Sequence, residues 1–176
     1  MTQAPETGET SQNPDQPQTA RVVPLTVHAQ YIKDLSFENP SAPQSLLPGQ
    51  AVPKMGVNVT LDARKIEGPG QVPDTTTFEV LLHVEASARR EQDVVFLVQL
   101  DYAVVCSVAA AVPEQHHHPL LMIEIPKLAF PFARQILAEV TSQAGFPPLL
   151  LNPVDFEGMY REQYLAQAQA ANKKAV

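Results

Sequence analysis

Apolar and polar side chains alternate with a period of two through most of positions 26–110. A period of two places neighbouring side chains on opposite faces of a strand. The first such segment, residues 26–38, therefore predicts a strand with a mainly apolar face, interrupted by Lys33, and a polar face. The apolar parity comprises Val27, Ala29, Tyr31, Leu35 and Phe37, and the polar parity comprises His28, Gln30, Asp34, Ser36 and Glu38.

The same pattern predicts three further strands, at residues 54–65, 76–89 and 94–110. Short connections between alternating strands favour an antiparallel meander. The fourth segment is apolar on both faces, with Phe96 and Val98 on one and Val95 and Leu97 on the other. If helices cover only one side of the sheet, this second apolar face predicts contact with another subunit.

Two helices are predicted after the strands. A stripe with a spacing of four indicates a helix at 131–143, in which Pro131 suits the first turn and Gly145 the stop. The stripe comprises Phe132, Ile136 and Val140, with Ala133 and Leu137 beside them. The second helix is expected to begin at Asp155, as N-cap, and to run to about residue 170. The Pro-rich stretch between them, 146–153, is expected to be extended. The predicted fold class is α+β, a four-stranded antiparallel sheet with two main helices.

Composition predicts a single domain with two tails. Residues 1–20 are rich in Thr, Gln, Pro and Glu, and we expect them to be disordered; residues 21–167 form the domain, and residues 168–176 a flexible tail. No basic, apolar leader and no apolar run of about 20 residues is present, so a soluble cytoplasmic protein without direct membrane insertion is expected. The single cysteine, Cys106, excludes an intrachain disulfide and is expected to be a buried structural thiol.

Several kinds of chemistry are disfavoured by the sequence. The formal charge of -7 disfavours a nucleic-acid partner, because phosphate binding requires clustered Lys and Arg. The glycines form neither a dinucleotide-binding nor a Walker A loop, and no nucleophile elbow is present, so we expect no cofactor. His116, His117 and His118 could in principle bind zinc, but adjacent side chains rarely converge on one ion, and a polar connection is the expected role. From these observations we expect that the protein is not an enzyme.

Asp34 and Glu38 share the polar face of the first strand. Four residues along a strand separate them by roughly 13 Å, which is too far for a shared proton. From the residues alone, an acidic docking surface and a merely solvated face have equal weight.

Three motifs resemble the SecB protein-export chaperone family. They are Tyr31-Ile32-Lys33-Asp34-Leu35-Ser36-Phe37-Glu38-Asn39-Pro40 followed by Pro43, Phe130-Pro131-Phe132-Ala133-Arg134, and the stretch from Gly145 to Phe156. The resemblance covers roughly residues 27–164. It implies that the two main helices pack on one face of the four-stranded antiparallel sheet, and that the protein is a homotetramer built as a dimer of dimers. It also implies an ATP-independent holdase that binds unfolded precursor proteins and delivers them to the translocase motor SecA.

The resemblance also assigns residues. The family's SecA contact falls on Asp34, Glu38, Leu97 and Gln99, although Gln99 departs from the acidic residue that is frequent at that position. The family's tetramer-forming positions fall on Val98, Leu100 and Tyr102.

A groove for clients is expected from residue type, with Phe37, Phe96, Phe146 and Tyr160 as lining residues. The sequence is also compatible with two other functions. A carrier of a small apolar ligand would use the same α+β layers to enclose a pocket. A metal-dependent enzyme would need the histidines to converge.

Overall fold

The computed structural model describes residues 24–68 and 72–163. Four strands form one antiparallel sheet: β1 (Leu25–Glu38), β2 (Lys54–Lys65), β3 (Thr75–Arg90) and β4 (Asp93–Ala109). The predicted strands are confirmed, each boundary to within one residue. The predicted tails, 1–20 and 168–176, lie outside the described residues.

The strand order is β1-β4-β3-β2. The predicted meander is therefore correct for β2, β3 and β4 and wrong for β1. Strand β1 pairs with β4, so the connection from β1 to β2 crosses from one edge of the sheet to the other. This order makes β4 an interior strand. Val95, beside the register shift between β3 and β4, belongs to the hydrophobic core. On the second face, Ala103 and Ser107 are buried within a single chain, whereas Leu97 and Val105 are only half-buried, and the contact of this face with another subunit stays a prediction.

The side chains of β1 do not alternate regularly between the two faces of the sheet. Its register against β4 shifts between Val27 and Ala29 and again between Ile32 and Asp34. Between these two bulges the faces are exchanged, because each bulge adds one residue to the strand. The prediction that Tyr31 and Lys33 share a face with Phe37 is therefore wrong. Tyr31 and Lys33 lie on the face turned away from the helices, which we call the outer face; the helix-covered face is the inner face.

The long helix, Ile125–Gln143, begins six residues earlier than predicted, so Pro131 lies inside it rather than in its first turn. The preceding residues are also helical, as a 3-10 turn (Glu114–His116), a single α turn (His117–Pro119) and a π turn (Leu120–Glu124). The expected polar connection at the three histidines is thus helical. The predicted apolar stripe is wrong only for Phe132, which is 48% exposed. Ile136 and Val140 pack against the core, and Ala133 and Leu137 are buried in it.

One hydrophobic core lies between the long helix and the inner face of the sheet. Alternate residues of β3 and β4 supply the sheet side, and the long helix supplies the opposite side with Ile125, Ala129, Phe130, Ala133 and Leu137. Burial of this area is the main favourable contribution to folding. The helices within residues 24–68 and 72–163 are too short or too polar to span a bilayer.

The predicted stop of the long helix at Gly145 and the predicted start of the second helix at Asp155 are confirmed, and the expected end of the second helix near residue 170 lies outside the described residues. Gly145 adopts a φ of +87°, and the amides of Gly145 and Phe146 donate to the carbonyls of Ser142 and Thr141. This Schellman arrangement ends the long helix and directs Phe146 away from it. The second helix occupies residues 156–163 of the described chain, and Asp155 Oδ1 accepts the amide of Gly158 at 2.9 Å, as expected of an N-cap.

Candidate functional site

The four residues that the resemblance assigns to a partner contact lie together on the outer face. Asp34 is opposite Asp101, Ser36 is opposite Gln99, and Glu38 is opposite Leu97. The second bulge of β1 is responsible, since it returns Asp34 and Glu38 to the outer face after Ile32. We call Asp34, Glu38, Leu97 and Gln99 the outer patch. Neither carboxylate of this patch forms an ion pair within the described part of the chain.

Two further acidic residues border the outer patch, and neither was predicted as a site residue from the sequence. Glu85 of β3 is directly opposite Gln99, and Asp101 of β4 accepts a hydrogen bond from His83. The sequence signal for Glu85 is its outward parity on β3, but only the register shows that it neighbours Gln99. The patch and these two neighbours together place acidic side chains on three adjacent strands, β1, β4 and β3.

Glu79 anchors the other end of the outer face. Its side chain is 4% exposed and accepts hydrogen bonds from Tyr31 and from Lys33 and Arg64, the last two also as ion pairs at 2.9 Å and 2.5 Å. Burial raises the pKa of the Glu79 carboxyl, but the hydrogen bonds from Tyr31, Lys33 and Arg64 outweigh burial and hold that pKa at about 2. A buried carboxylate is stable only with such partners. The cluster links β1, β3 and β2.

Three of the four predicted groove residues come together on the inner face. The ring centroids of Phe37 and Phe96 are 5.5 Å apart, and those of Phe96 and Phe146 are 4.9 Å apart. Tyr160, the fourth predicted groove residue, lies apart from these three rings, and its ring packs on that of His118 at a centroid distance of 5.5 Å. The three phenylalanines join a strand edge, the interior strand and the segment after the long helix.

An open apolar groove of about 390 Å³ lies beside this aromatic cluster. One wall is the segment before β2 with Met55, and the other wall is the extended segment after Gly145; the lining residues are Gln50, Ala51, Val52, Pro53, Met55, Arg90, Phe96, Phe146, Pro147, Pro148, Leu149 and Leu150. Val52 is 91% exposed and Leu150 is 63% exposed. Such exposure of large apolar side chains is typical of a binding surface. The segment after Gly145, with Phe146, was expected in the groove from the sequence. The wall before β2 was not, because this Pro-containing segment has no periodicity.

Specific hydrogen bonds hold the two walls in place. The Thr141 hydroxyl is buried, donates to the carbonyl of Leu137 and accepts the amide of Leu149 at 2.9 Å. On the other side, the Arg90 guanidinium donates to the carbonyl of Ala51 at 2.7 Å and to Gln50 Oε1. The walls are thus fixed to the long helix and to β3, and the groove is formed before any ligand arrives.

A second cleft, of about 410 Å³, is lined by the continuation of the same two elements. Strand β2 supplies Val57, Asn58 and Val59, and the extended segment supplies residues 151–154. Val57 is 48% exposed. The apolar surface therefore extends along β2 over a length that an extended peptide can follow.

The positions that the resemblance assigns to tetramer formation lie on the inner face. Val98 and Leu100 have no exposed surface, and Tyr102 is 7% exposed and donates to Gln30 Oε1 at 3.4 Å. These side chains support the layer beneath the long helix. The exposed apolar side chains of the chain lie elsewhere, and they include Ile32 and Leu35 on β1 and Leu128 and Phe132 on the long helix.

The histidines do not converge. His28 contacts the Ser107 hydroxyl, His83 contacts Asp101, and His117 contacts the carbonyl of Val112. In the described residues no three His, Cys, Asp or Glu side chains are arranged to hold a metal ion. Cys106 is fully buried, and burial raises the pKa of its thiol to about 11.

The fold and these two surfaces define a binding protein, with a preformed apolar groove on the helix side of a sheet and an acidic patch on the other side. The comparisons with known proteins agree. Residues 17–168 match the profile of the family described as preprotein translocase subunit SecB. The chain therefore belongs to the SecB family of protein-export chaperones.

Named relatives show the same kinship. The chain is 45% identical to a protein-export protein SecB of Maricaulis maris, over 97% of this chain and 91% of the relative. It is also 45% identical to that of Rhodospirillum centenum, over 81% of each chain, and 44% identical to one from Rhodopseudomonas palustris, over 91% of this chain and 96% of the relative.

The fold also matches a solved structure. A SecB-like chaperone of Mycobacterium tuberculosis, solved in complex with a peptide from an antitoxin, superposes with a TM-score of 0.52 at 13% identity. The match covers 74% of this chain and 90% of that one. At this identity the likeness concerns the fold alone.

Proposed function

We propose that the chain is an ATP-independent holdase that keeps unfolded precursor proteins competent for export and delivers them to the motor SecA in the cytosol. The observation that carries the proposal is the open aromatic groove between Phe96, Phe146 and Leu150. An unfolded precursor exposes apolar side chains that the groove buries without requiring one sequence.

The shape of the groove favours an extended chain over a small ligand. The groove is open to solvent, since Val52 and Leu150 in its walls are largely exposed. The second cleft continues along the same two elements. A carrier of a small apolar molecule usually encloses most of its ligand. The groove therefore suits a segment that enters and leaves it, as a longer polypeptide does.

The outer patch is the proposed contact with SecA. Asp34 and Glu38 are exposed and unpaired within the described chain, and Leu97 lies between strands β1 and β3 beside them. Negative charge on an exposed patch increases the rate of encounter with a basic surface and orients it. Because the patch and the groove occupy opposite faces of one sheet, SecA and a client can be bound at the same time.

Assembly as a dimer of dimers is supported by apolar surface that a single chain leaves open. Strand β1 is an edge strand of 14 residues, with Ile32 and Leu35 exposed along it. Leu128 and Phe132, one turn apart on the long helix, are 44% and 48% exposed. Exposed edges and apolar stripes of this kind are usually covered by a partner. Val98, Leu100 and Tyr102 would then act on assembly indirectly, by setting the position of the long helix.

Suppression of aggregation tests the holdase directly. An unfolded precursor is diluted from denaturant with and without the chain, in the absence of nucleotide, and light scattering is followed. The proposal predicts that equimolar tetramer keeps the precursor soluble. Scattering as strong as that of the precursor alone, from a sample of correct oligomeric mass, would refute the proposal.

A further inference from the structure

Strand β1 has two more residues than the stretch of β4 with which it pairs. Leu25 is opposite Val108 and Glu38 is opposite Leu97, so the 14 residues of β1 face 12 residues of β4 (97 to 108). The two extra residues are accommodated at the bulges at His28 and Lys33. Both ends of β1 are held: the carbonyl of Pro24 accepts the amide of Ala109, and Phe37 packs on Phe96. The extra residues must therefore be placed somewhere between these ends.

Each bulged residue is bonded to the outer face of the sheet. His28 Nε2 is 2.8 Å from the Ser107 hydroxyl, and Lys33 Nζ is 2.9 Å from Glu79 Oε2. Tyr31, which precedes the second bulge, donates to the other oxygen of Glu79. Without the bulges, Tyr31 and Lys33 would have the parity of Leu35 and Phe37 and would point towards the helix. Glu79 thus provides the contacts that hold both side chains on the outer face.

We propose that Glu79 is a positioning residue for the outer patch. It holds Tyr31 and Lys33 on the outer face and fixes the second bulge at Lys33. It thereby fixes the register that places Asp34 opposite Asp101. This inference rests on the proposed docking role of the outer patch. Glu79 is opposite Val105, which is itself opposite Ala29, so Glu79 lies away from the patch. Its side chain is 4% exposed, so it does not contact a partner.

The geometry explains why this role needs a buried carboxylate. Tyr31 is opposite Ala103, whose small side chain leaves room for the tyrosine to cross β4 towards Glu79. Both carboxylate oxygens are used, one by Tyr31 and one by Lys33, and Arg64 approaches from β2 on the second. An amide at position 79 has only one acceptor oxygen and no charge. It therefore cannot satisfy the hydroxyl and both cations together.

A disulfide across the two strands measures the register directly. Ala29 and Val105 are partners only in the register between the two bulges, and opposite Cα atoms of paired strands are close enough for a disulfide. In a Cys106→Ala background, Ala29→Cys with Val105→Cys is expected to oxidise readily. Adding Glu79→Gln should slow this oxidation at least several-fold, whereas Asp62→Asn, which removes an outer-face carboxyl on β2, should not. Equal oxidation rates with and without Glu79 would overturn the proposal.

A second cysteine pair shows that any change is local. Ser36→Cys with Gln99→Cys reports the register after the second bulge, where Phe37 is held by the aromatic cluster. It should still form a disulfide in the Glu79→Gln protein, which demonstrates that the sheet is folded. If Glu79→Gln does not fold, Lys33→Met takes its place, because it removes one donor and leaves the carboxylate; slower oxidation of the 29–105 pair is again expected, and an unchanged rate counts against the proposal.

SecA binding provides a readout that a purely structural role would not produce. Glu79→Gln should weaken binding several-fold alone, cause no further loss in combination with Asp34→Ala, and be additive with Glu38→Ala. Additive losses for Glu79→Gln and Asp34→Ala would show that Glu79 does not act through Asp34. If Asp34→Ala alone leaves SecA binding unchanged, the docking role of the patch is wrong, and the disulfide assay still decides whether Glu79 sets the register.

Discussion

The ring of Phe37 stacks on the ring of Phe96 at a centroid distance of 5.5 Å and an interplanar angle of 26°. The next residue along β1, Glu38, lies on the opposite face of the sheet, beside Leu97. One short stretch of an edge strand thus contributes to both candidate surfaces. The groove and the outer patch are back to back, so changes on one face can be made without touching the other.

The first prediction concerns the outer patch. Asp34→Ala combined with Glu38→Ala is expected to weaken SecA binding about tenfold or more, because two unpaired carboxylates are lost from the docking surface. Suppression of precursor aggregation should be unchanged. Titration calorimetry or biosensor measurements at two salt concentrations provide the test, since a charge-driven contact weakens with salt. Asp62→Ala, on the far edge strand, is the matched control. Equal loss of both activities would mean that these carboxylates maintain the fold.

The second prediction concerns the groove. Leu150→Asp should reduce the affinity for an unfolded precursor, because a carboxylate in the groove must be desolvated when an apolar segment binds. Leu150 is 63% exposed, so the stability of the fold should change little. Leu47→Asp, at a site that is 57% exposed and outside the groove, is the control. Fluorescence anisotropy of a labelled unfolded precursor measures both. Similar losses for the two variants would show that general surface charge, and not the groove, governs binding.

The third prediction concerns assembly. Phe132→Asp should lower the oligomeric mass, because it places a charge on an apolar stripe of the long helix that we expect a partner to cover. Its midpoint of unfolding should remain near that of the parent protein. Tyr102→Asp also alters a position assigned to assembly, but Tyr102 is 7% exposed, so this change should lower the stability of the chain itself. Sedimentation velocity and chemical denaturation separate the two effects. A Phe132→Asp protein of unchanged mass would exclude this stripe from the interface.

The strands were predictable because alternation is a local property of the sequence. The exchanged faces of β1 were not, because the partner that holds Lys33 outward is Glu79, which lies 46 positions further along the chain. The early start of the long helix was hidden by Pro126 and Pro131, since proline in a helical pattern usually indicates a boundary. The walls of the groove show neither the helical nor the strand periodicity. Only the tertiary contacts of Thr141 and Arg90 hold these walls in place.

The fourth prediction concerns pH. The pKa of Glu79 is about 2 in the folded chain and close to 4.5 in the unfolded chain, so unfolding makes this group easier to protonate. Its contribution to stability is fully present above about pH 5 and is lost as the pH falls towards 2. The free energy of unfolding, measured by denaturation with far-UV circular dichroism, should therefore fall less steeply between pH 5 and pH 2 in Glu79→Gln than in the parent. Parallel slopes would show that the carboxylate is not held by its ionic partners.

The fifth prediction concerns Cys106. The thiol is fully buried and its pKa is raised to about 11 by burial, so iodoacetamide at pH 8 should label it only through unfolding or opening of the sheet. Labelling should become fast in denaturant. Mass spectrometry follows the modification over time. Rapid labelling of the native protein would contradict the packing of β4 beneath the long helix.

The central claim is that the groove beside Phe96 and Phe146 holds unfolded chains, and site-specific photocrosslinking tests it most directly. A benzophenone amino acid is placed at position 150 or, as a control, at position 47, and the assembled protein is irradiated with an unfolded precursor in the absence of nucleotide. The account predicts strong crosslinks from position 150 that disappear once the precursor has folded, and few from position 47. Equal crosslinking from both positions, or none from position 150 while the precursor remains soluble, would contradict it.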